Sequence, residues 1–386
     1  MDVLLNVESL APPLAGIGRY TSVLVNGLRG RVDSLRCFAH LEWVSPQQAL
    51  AQAEASSTGR VSGLREAIRK TLRGIPGAYP LRATLRDAAF WRLSRPFREA
   101  VYHEPNYILK PYAGPCVATV HDISHIHYPD FHPRERVSFM NKGLPRSLRR
   151  AQRIITVSDF VRAELIEYFG IQAEKVVTVP LGVNHHFRPR PAGEIAPTLA
   201  RNGLTCGGYL LAVGTLEPRK NLAGLVDAFA QLPLALRKRF PLVLVGAHGW
   251  GHTGLEHRLA PLEARGEARR LGYVSQRELP AVYAGAAGFA FPSIYEGFGL
   301  PPLEAAACGV PVLTSARASM PEVVGDVALL VDPQDPESLR AGLERLLTDD
   351  SFRQWAAKAG VRRASRFTWQ ACIDHTLDVY RVAARM

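Results

Sequence analysis

The chain has 386 residues, of which 47% are hydrophobic and 21% charged, with a formal net charge of +12. This composition excludes a disordered or low-complexity chain, and the length exceeds what one ordinary core takes, so two domains are expected. The five cysteines are scattered and form no CxxC pair, which argues against a disulfide framework or a zinc site and fits a reducing cytoplasm.

The opening "MDVLLNV" has no basic residues before its apolar run, so it is expected to be a first β-strand and not a signal peptide. "PPLAGIGRYT" follows, where Gly16 and Gly18 would let the backbone approach a ligand. The third glycine of a dinucleotide fingerprint is missing. "YTSVLVNGLRG" has a helical pattern closed by glycine. Residues 60–100 carry ten Lys and Arg against Glu66, Asp87 and Glu99, interleaved with Phe90, Trp91 and several Leu and Ile. Such a stretch lies either on an anionic membrane or on a solvated surface with its apolar stripe in the core. No run of 18 strongly apolar residues occurs.

Further along, "CVATVHD" is a strand that ends at His121 and Asp122. "RIITVSD" is another, followed by the helix "FVRAELIEYFG" capped by Ser158 or Asp159. "KVVTVPLGV" is a further strand, and the proline-rich residues 186–202 are expected to be a linker. The strand–helix alternation then restarts with "YLLAVGT", "NLAGLVDAFAQL" and "PLVLVGA" and continues to a final helix from Trp369. Such alternation implies two parallel, doubly wound sheets.

"YEGFGLPPLEAAACGVPV" (295–312) stands apart. A strand should end at Ser293. Pro301 and Pro302 should open a helix, where the missing N–H costs nothing, and Gly309 should close it. Free amides of the glycine loop would then face the C-terminal edge of the sheet, which is an anion site and the place where doubly wound domains bind ligands. Glu304 is expected in the first helical turn. There it either favours the helix dipole or accepts two hydrogen bonds from a ribose diol. Glu296, in the loop, is placed to bind hydroxyls of a sugar held beyond the phosphates. Neither has a histidine pair beside it to make a zinc site.

Glu296 and Glu304, with "GFGLPPL" between them and "GVPV" after, resemble the signature of the retaining glycosyltransferases of family 4. The resemblance extends over nearly the whole chain and is weak across 40–100. It implies the α/β GT-B fold, two Rossmann-like doubly wound domains facing a cleft. Residues 1–188 would form the acceptor-side domain, with a terminal helix 369–386 returning to it, and 200–368 the nucleotide-sugar domain. "AVGTLEPRKNL" resembles the family's basic phosphate-binding turn, which puts Arg219 and Lys220 on the donor diphosphate. Thr215 and Glu217 lie in that turn, with Thr215 where many members have arginine. By the same resemblance His121 contacts the donor sugar or the reaction centre, Gly16, Gly18, Thr215 and Glu217 belong to the donor site, and Arg19 and Asp122 lie at the cleft on the acceptor side. Gly297, Phe298, Gly299, Leu300 and Glu304 would hold the donor. Catalysis is thus assigned to His121, Arg219, Lys220 and Glu296.

The implied reaction moves a hexose from a nucleotide diphosphate to a hydroxyl with retention, and the scheme asks for no metal or other cofactor. The pattern is most similar to bacterial mannosyl- and rhamnosyltransferases of surface-polysaccharide assembly. These use GDP-sugars and lipid-linked or glycan acceptors, at the inner face of the plasma membrane. Two rivals are an epimerase on the same fold and a basic lipid- or nucleic-acid-binding module. The second explains the charge but not "EGFGLPPLE" or "EPRKN".

Overall fold

The computed structural model describes residues 1–10, 16–39, 41–57, 78–247 and 254–386, with side chains at all of these except 52–57 and 78–83. The first part of the basic stretch (60–77, with the side chains to 83) and residues 11–15 of the first glycine loop lie outside the described residues.

The first sheet contains β1 (Asp2–Asn6), β2 (Ser34–Ala39), β3 (Glu42–Val44), β4 (Val101–Glu104), β5 (Cys116–Val120), β6 (Arg153–Thr156) and β7 (Val176–Thr178), in the order β3-β2-β1-β4-β5-β6-β7. All pairings are parallel except the hairpin-like β2–β3 edge. The second sheet is wholly parallel: β8 (Leu210–Val213), β9 (Leu242–Val245), β10 (Ala268–Gly272), β11 (Gly288–Phe291), β12 (Val312–Ser315) and β13 (Leu329–Val331), in the order β10-β9-β8-β11-β12-β13. The strands β4, β5, β11 and β12 are buried at every position, as strands covered by helices on both faces must be.

Both sheets reverse direction once, β1 beside β4 and β8 beside β11. At such a switch point the crossover helices leave to opposite faces and a crevice opens beyond the strand ends. The doubly wound α/β expectation is therefore met. The strands β2, β3 and β4 went unread in the sequence.

Two local expectations are corrected. The stretch 186–202 is not an irregular linker, because Ala192–Arg201 is a helix. Ile195 and Leu199, one turn apart, bury into the core and outweigh the helix-weakening Pro197. The helix after β11 runs Leu300–Ala307, with Gly299 as its N-cap, so Glu304 falls in the second turn and not the first.

The final helix Trp369–Ala383 returns to the first sheet. Tyr380 bonds His103 of β4 at 2.6 Å, and Ile373 packs against Gly27 of the helix Gly16–Leu28. The two chain crossings between the sheets lie side by side. Val183 pairs with Thr368 as an isolated bridge, Val183 N–H donates to Phe367 O at 3.0 Å, and Gly182 backs directly onto Thr368 and Trp369.

Candidate active site

The two loops that leave the second sheet at its switch point carry the charged side chains. After β8 the chain makes a short turn, Pro218–Lys220, followed by Asn221 in the left-handed region (φ 53°). Asparagine tolerates that backbone better than most residues with a Cβ. Here the Asn221 amide donates to Pro333 O at 2.6 Å. The turn places Arg219 and Lys220 beside the loop after β11.

Glu296 receives both cations. Arg219 lies 2.8 Å from Glu296 Oε2, and Lys220 Nζ lies 2.5 Å from Oε1. Arg219 also pairs with Glu217 at 2.8 Å and donates to Tyr295 O at 3.2 Å. Lys220 Nζ sits 4.8 Å from the centre of the Phe291 ring. Glu217, Lys220 and Glu296 are all buried. Burial alone would raise the Glu296 carboxyl, but Arg219 and Lys220 together hold it below the usual carboxylate range. Burial and the neighbouring Arg219 lower the Lys220 ammonium, and Glu296 only partly restores it. Arg219 stays charged, because three carboxylates, Glu296, Glu217 and Asp122, outweigh its burial.

The glycine loop is held from two sides. Ser319 Oγ lies 2.8 Å from Glu296 O and 2.9 Å from Phe298 O, which fixes the carbonyls inward and leaves amides free at the start of the following helix. Gly299 adopts φ 110°, and a side chain there would strike Met320. Gly297 meets the other half of the molecule. A Cβ on it would overlap the His121 carbonyl oxygen. Its own carbonyl accepts from Ser158 Oγ at 2.6 Å.

Glu304, buried one turn into the helix, pairs with Arg19 of the helix Gly16–Leu28 at 2.7 Å. Burial raises the Glu304 carboxyl, and Arg19 and the Tyr283 hydroxyl oppose the shift. Gly18 is buried, whereas Gly16 is exposed with open space around it. On the first sheet, β5 ends at His121. Its Nε2 lies 2.9 Å from Pro105 O, and a carbonyl can only accept, so Nε2 carries the proton and Nδ1 is the free acceptor. Burial keeps this imidazole neutral at ordinary pH. Asp122 accepts from Ser124 N at 3.1 Å and Ser124 Oγ at 2.8 Å, and its charge acts on Arg219.

The structure thus brings Arg19, His121, Asp122, Glu217, Arg219, Lys220, Glu296, Gly297 and Glu304 to one cleft. Thr215 and Leu300 are half-buried at its edge and Phe298 is buried in the loop. Three further participants had no distinctive sequence signal: Ser319, which fixes the loop; Tyr295, whose ring enters the first half; and Glu164, which receives its hydroxyl. Glu322 caps the helix Asp159–Phe169 from the second half, accepting from Asp159 N at 2.8 Å and Phe160 N at 3.0 Å. Among the described residues, no group of three or more His, Cys, Asp or Glu side chains is arranged to hold a metal ion.

Residues 15–187 match the family model for Glycosyltransferase Family 4, and residues 207–363 match that for Glycosyl transferases group 1. The chain is also 38% identical to the O-antigen chain mannosyltransferase B of Escherichia coli over 99% of its own length and 100% of the relative's. It is a family 4 glycosyltransferase. The fold of this glycosyltransferase is shared with sucrose-phosphate synthase from Thermosynechococcus elongatus (TM-score 0.72, 22% identity, 99% and 98% of the two chains covered). It is shared too with Anabaena HepE, solved with UDP and glucose (TM-score 0.69, 19% identity, 99% of each chain). The GT-B architecture and the transferase activity expected from the motif are thereby borne out.

Proposed function

We propose that this enzyme transfers mannose or rhamnose from a GDP-sugar, with retention, to a lipid-linked or glycan acceptor during O-antigen assembly. The observation that carries this reading is the end-to-end identity with an O-antigen mannosyltransferase, 38% over 99% of the chain. In the reaction the bond from the anomeric carbon to the diphosphate oxygen breaks. A bond to the acceptor oxygen forms, and the acceptor's proton leaves with the diphosphate. Negative charge grows on the departing group, so cations and amides fixed beforehand stabilise the transition state more than the ground state. Arg219, Lys220 and the amides of Gly297 to Leu300 supply that field. Glu304 takes the ribose hydroxyls, Glu296 and His121 meet the sugar, and Arg19, Gly16, Gly18, Thr215, Glu217 and Asp122 line the cleft. Residues 200–368 hold the donor and 1–188, with the terminal helix, the acceptor. No metal enters this scheme.

The described part of the basic stretch supports a membrane contact. Phe90 is buried against Phe38 and Tyr102, while Leu85 and Trp91 on the same helix, Ala78–Ser94, are 55% and 50% exposed beside the exposed Arg92, Arg95 and Arg98. Aromatic and basic side chains together suit an anionic lipid surface. No helix among the described residues is long and apolar enough to cross a membrane.

The experiment is a thermal-shift panel of GDP-, UDP-, ADP- and dTDP-sugars, followed by product analysis with the stabilising donor and a lipid-linked glycan. Selective stabilisation by GDP-mannose or GDP-rhamnose and an α-linked product are expected. Stabilisation by another base alone would overturn the donor assignment. Epimerised nucleotide sugar without transfer would overturn the reaction.

A further inference from the structure

Directly before Glu296 stands a side chain that the transfer chemistry does not use. Tyr295 belongs to the loop after β11, yet its ring is buried in the first half of the molecule. The socket is built from the rings of His127, Tyr128 and Phe160, with centroids 5.9, 5.7 and 5.8 Å from that of Tyr295. At its floor the hydroxyl uses both its bonding directions. It donates to Glu164 Oε2 and accepts from Ile123 N at 3.3 Å. Glu164 is held in place by His127 Nε2, 3.0 Å from its other oxygen. Phe160 and Glu164 are one turn apart on the helix Asp159–Phe169, so they present a single face to Tyr295. The backbone of Tyr295 faces the other way: its carbonyl accepts from Arg219, and the next side chain is Glu296.

We propose that Tyr295 is a positioning residue, a clasp that couples closure of the cleft to the setting of Glu296 against Arg219 and Lys220. Within the second half the loop is already held by the Ile294 amide, which donates to Arg219 O at 2.8 Å, and by Ser319 Oγ on the carbonyls of Glu296 and Phe298. Tyr295, with the Ser158 hydroxyl on Gly297 O, adds the restraints that come from the first half. Seated in the socket, the ring fixes the loop from the first half. The loop therefore gains its last restraints, on either side of Glu296, only when the two halves meet. A hydroxyl with donor and acceptor both matched also discriminates the closed form sharply, because phenylalanine would leave a desolvated carboxyl group, which burial has already pushed up to about 7, and an amide without their partner. The clasp serves the transfer reaction proposed above, but its geometry does not depend on which sugar or base is bound.

Tyr295→Phe keeps the ring and removes only the hydroxyl. Compared with wild type, kcat is expected to fall about tenfold, the loss that follows from one buried hydrogen bond. The Kd for GDP or UDP, measured calorimetrically, is expected to stay within about twofold. Small-angle scattering with no nucleotide present should show a larger radius of gyration for Tyr295→Phe and Glu164→Ala than for wild type. Glu164→Gln, whose amide oxygen still accepts from the tyrosine, should recover most of the compaction and turnover. A wild-type kcat and radius for both Tyr295→Phe and Glu164→Ala would overturn the clasp. Because scattering needs no substrate, that result stays separate from a failure of the donor assignment, which would appear as no binding of either nucleotide by wild type.

Discussion

Arg19 and Glu304 join the first helix of the chain to the helix of the glycine loop, 2.7 Å apart across the cleft. Glu304 is the carboxylate assigned to the ribose, so in the donor-free molecule its charge is already answered by the opposite half. Arg219 and Lys220 are in the same position, paired with Glu296 and Glu217. The site holds its charges by internal pairing, and the donor must share or replace those partners. The internal pairs also avoid the several kcal/mol that an isolated buried charge would cost.

Glu304→Ala should weaken GDP binding about 10- to 100-fold by calorimetry, the range for loss of charged hydrogen bonds. An unchanged affinity would remove Glu304 from the ribose.

Lys220→Ala should lower kcat about 100- to 1000-fold, as when a stabiliser of developing charge is lost. The pH profile gives a second test. The Lys220 ammonium is lowered from its ordinary 10.5 by burial and by Arg219. Its proton is present at low pH and lost as pH rises through the lowered value, so kcat/KM should fall on the alkaline side before pH 10.5. Lys220→Arg carries a group that does not titrate there and should move that limb upward.

Gly297→Ala should leave the unfolding midpoint in urea nearly unchanged and reduce kcat about 100-fold. The added Cβ meets the His121 carbonyl and the Asp122 side chain, which belong to the other half of the molecule. Each half can therefore still fold, but the cleft cannot close on its substrate.

Phe90 and Trp91 are neighbours with opposite surroundings. Phe90→Ala should cost about 3–5 kcal/mol in denaturant unfolding, since its ring packs on Phe38, Trp43 and Tyr102. Trp91→Ala should stay within about 0.5 kcal/mol and instead reduce sedimentation with vesicles of anionic lipid. Wild-type vesicle binding by the Trp91 variant would count against the membrane contact.

Much of this site was legible because its parts are local. A strand expected to stop at Ser293 and found to stop at Phe291, a loop with two glycines and a helix opened by two prolines fix where Glu296 and Glu304 lie relative to the sheet edge. The second cluster, Arg219 and Lys220, was legible for the same reason. Their ion pairs were not. The contact between Lys220 and Glu296 spans 76 residues and that between Arg19 and Glu304 spans 285, and no periodicity carries separations of that kind. Ser319 and Glu164 were missed because a serine and a glutamate on helix-like stretches ordinarily cap or face water. The helix Ala192–Arg201 was missed because its prolines suggested a loop, while the burial of Ile195 and Leu199 depends on tertiary neighbours.

The bridge between Val183 and Thr368 places both strands of the connection on one line. Two crossings joined in this way make a narrow hinge, which resists sliding of the halves more than it resists a swing about the pair. Trimming the chain before Trp369 would cut one tether and turn that hinge into a leash.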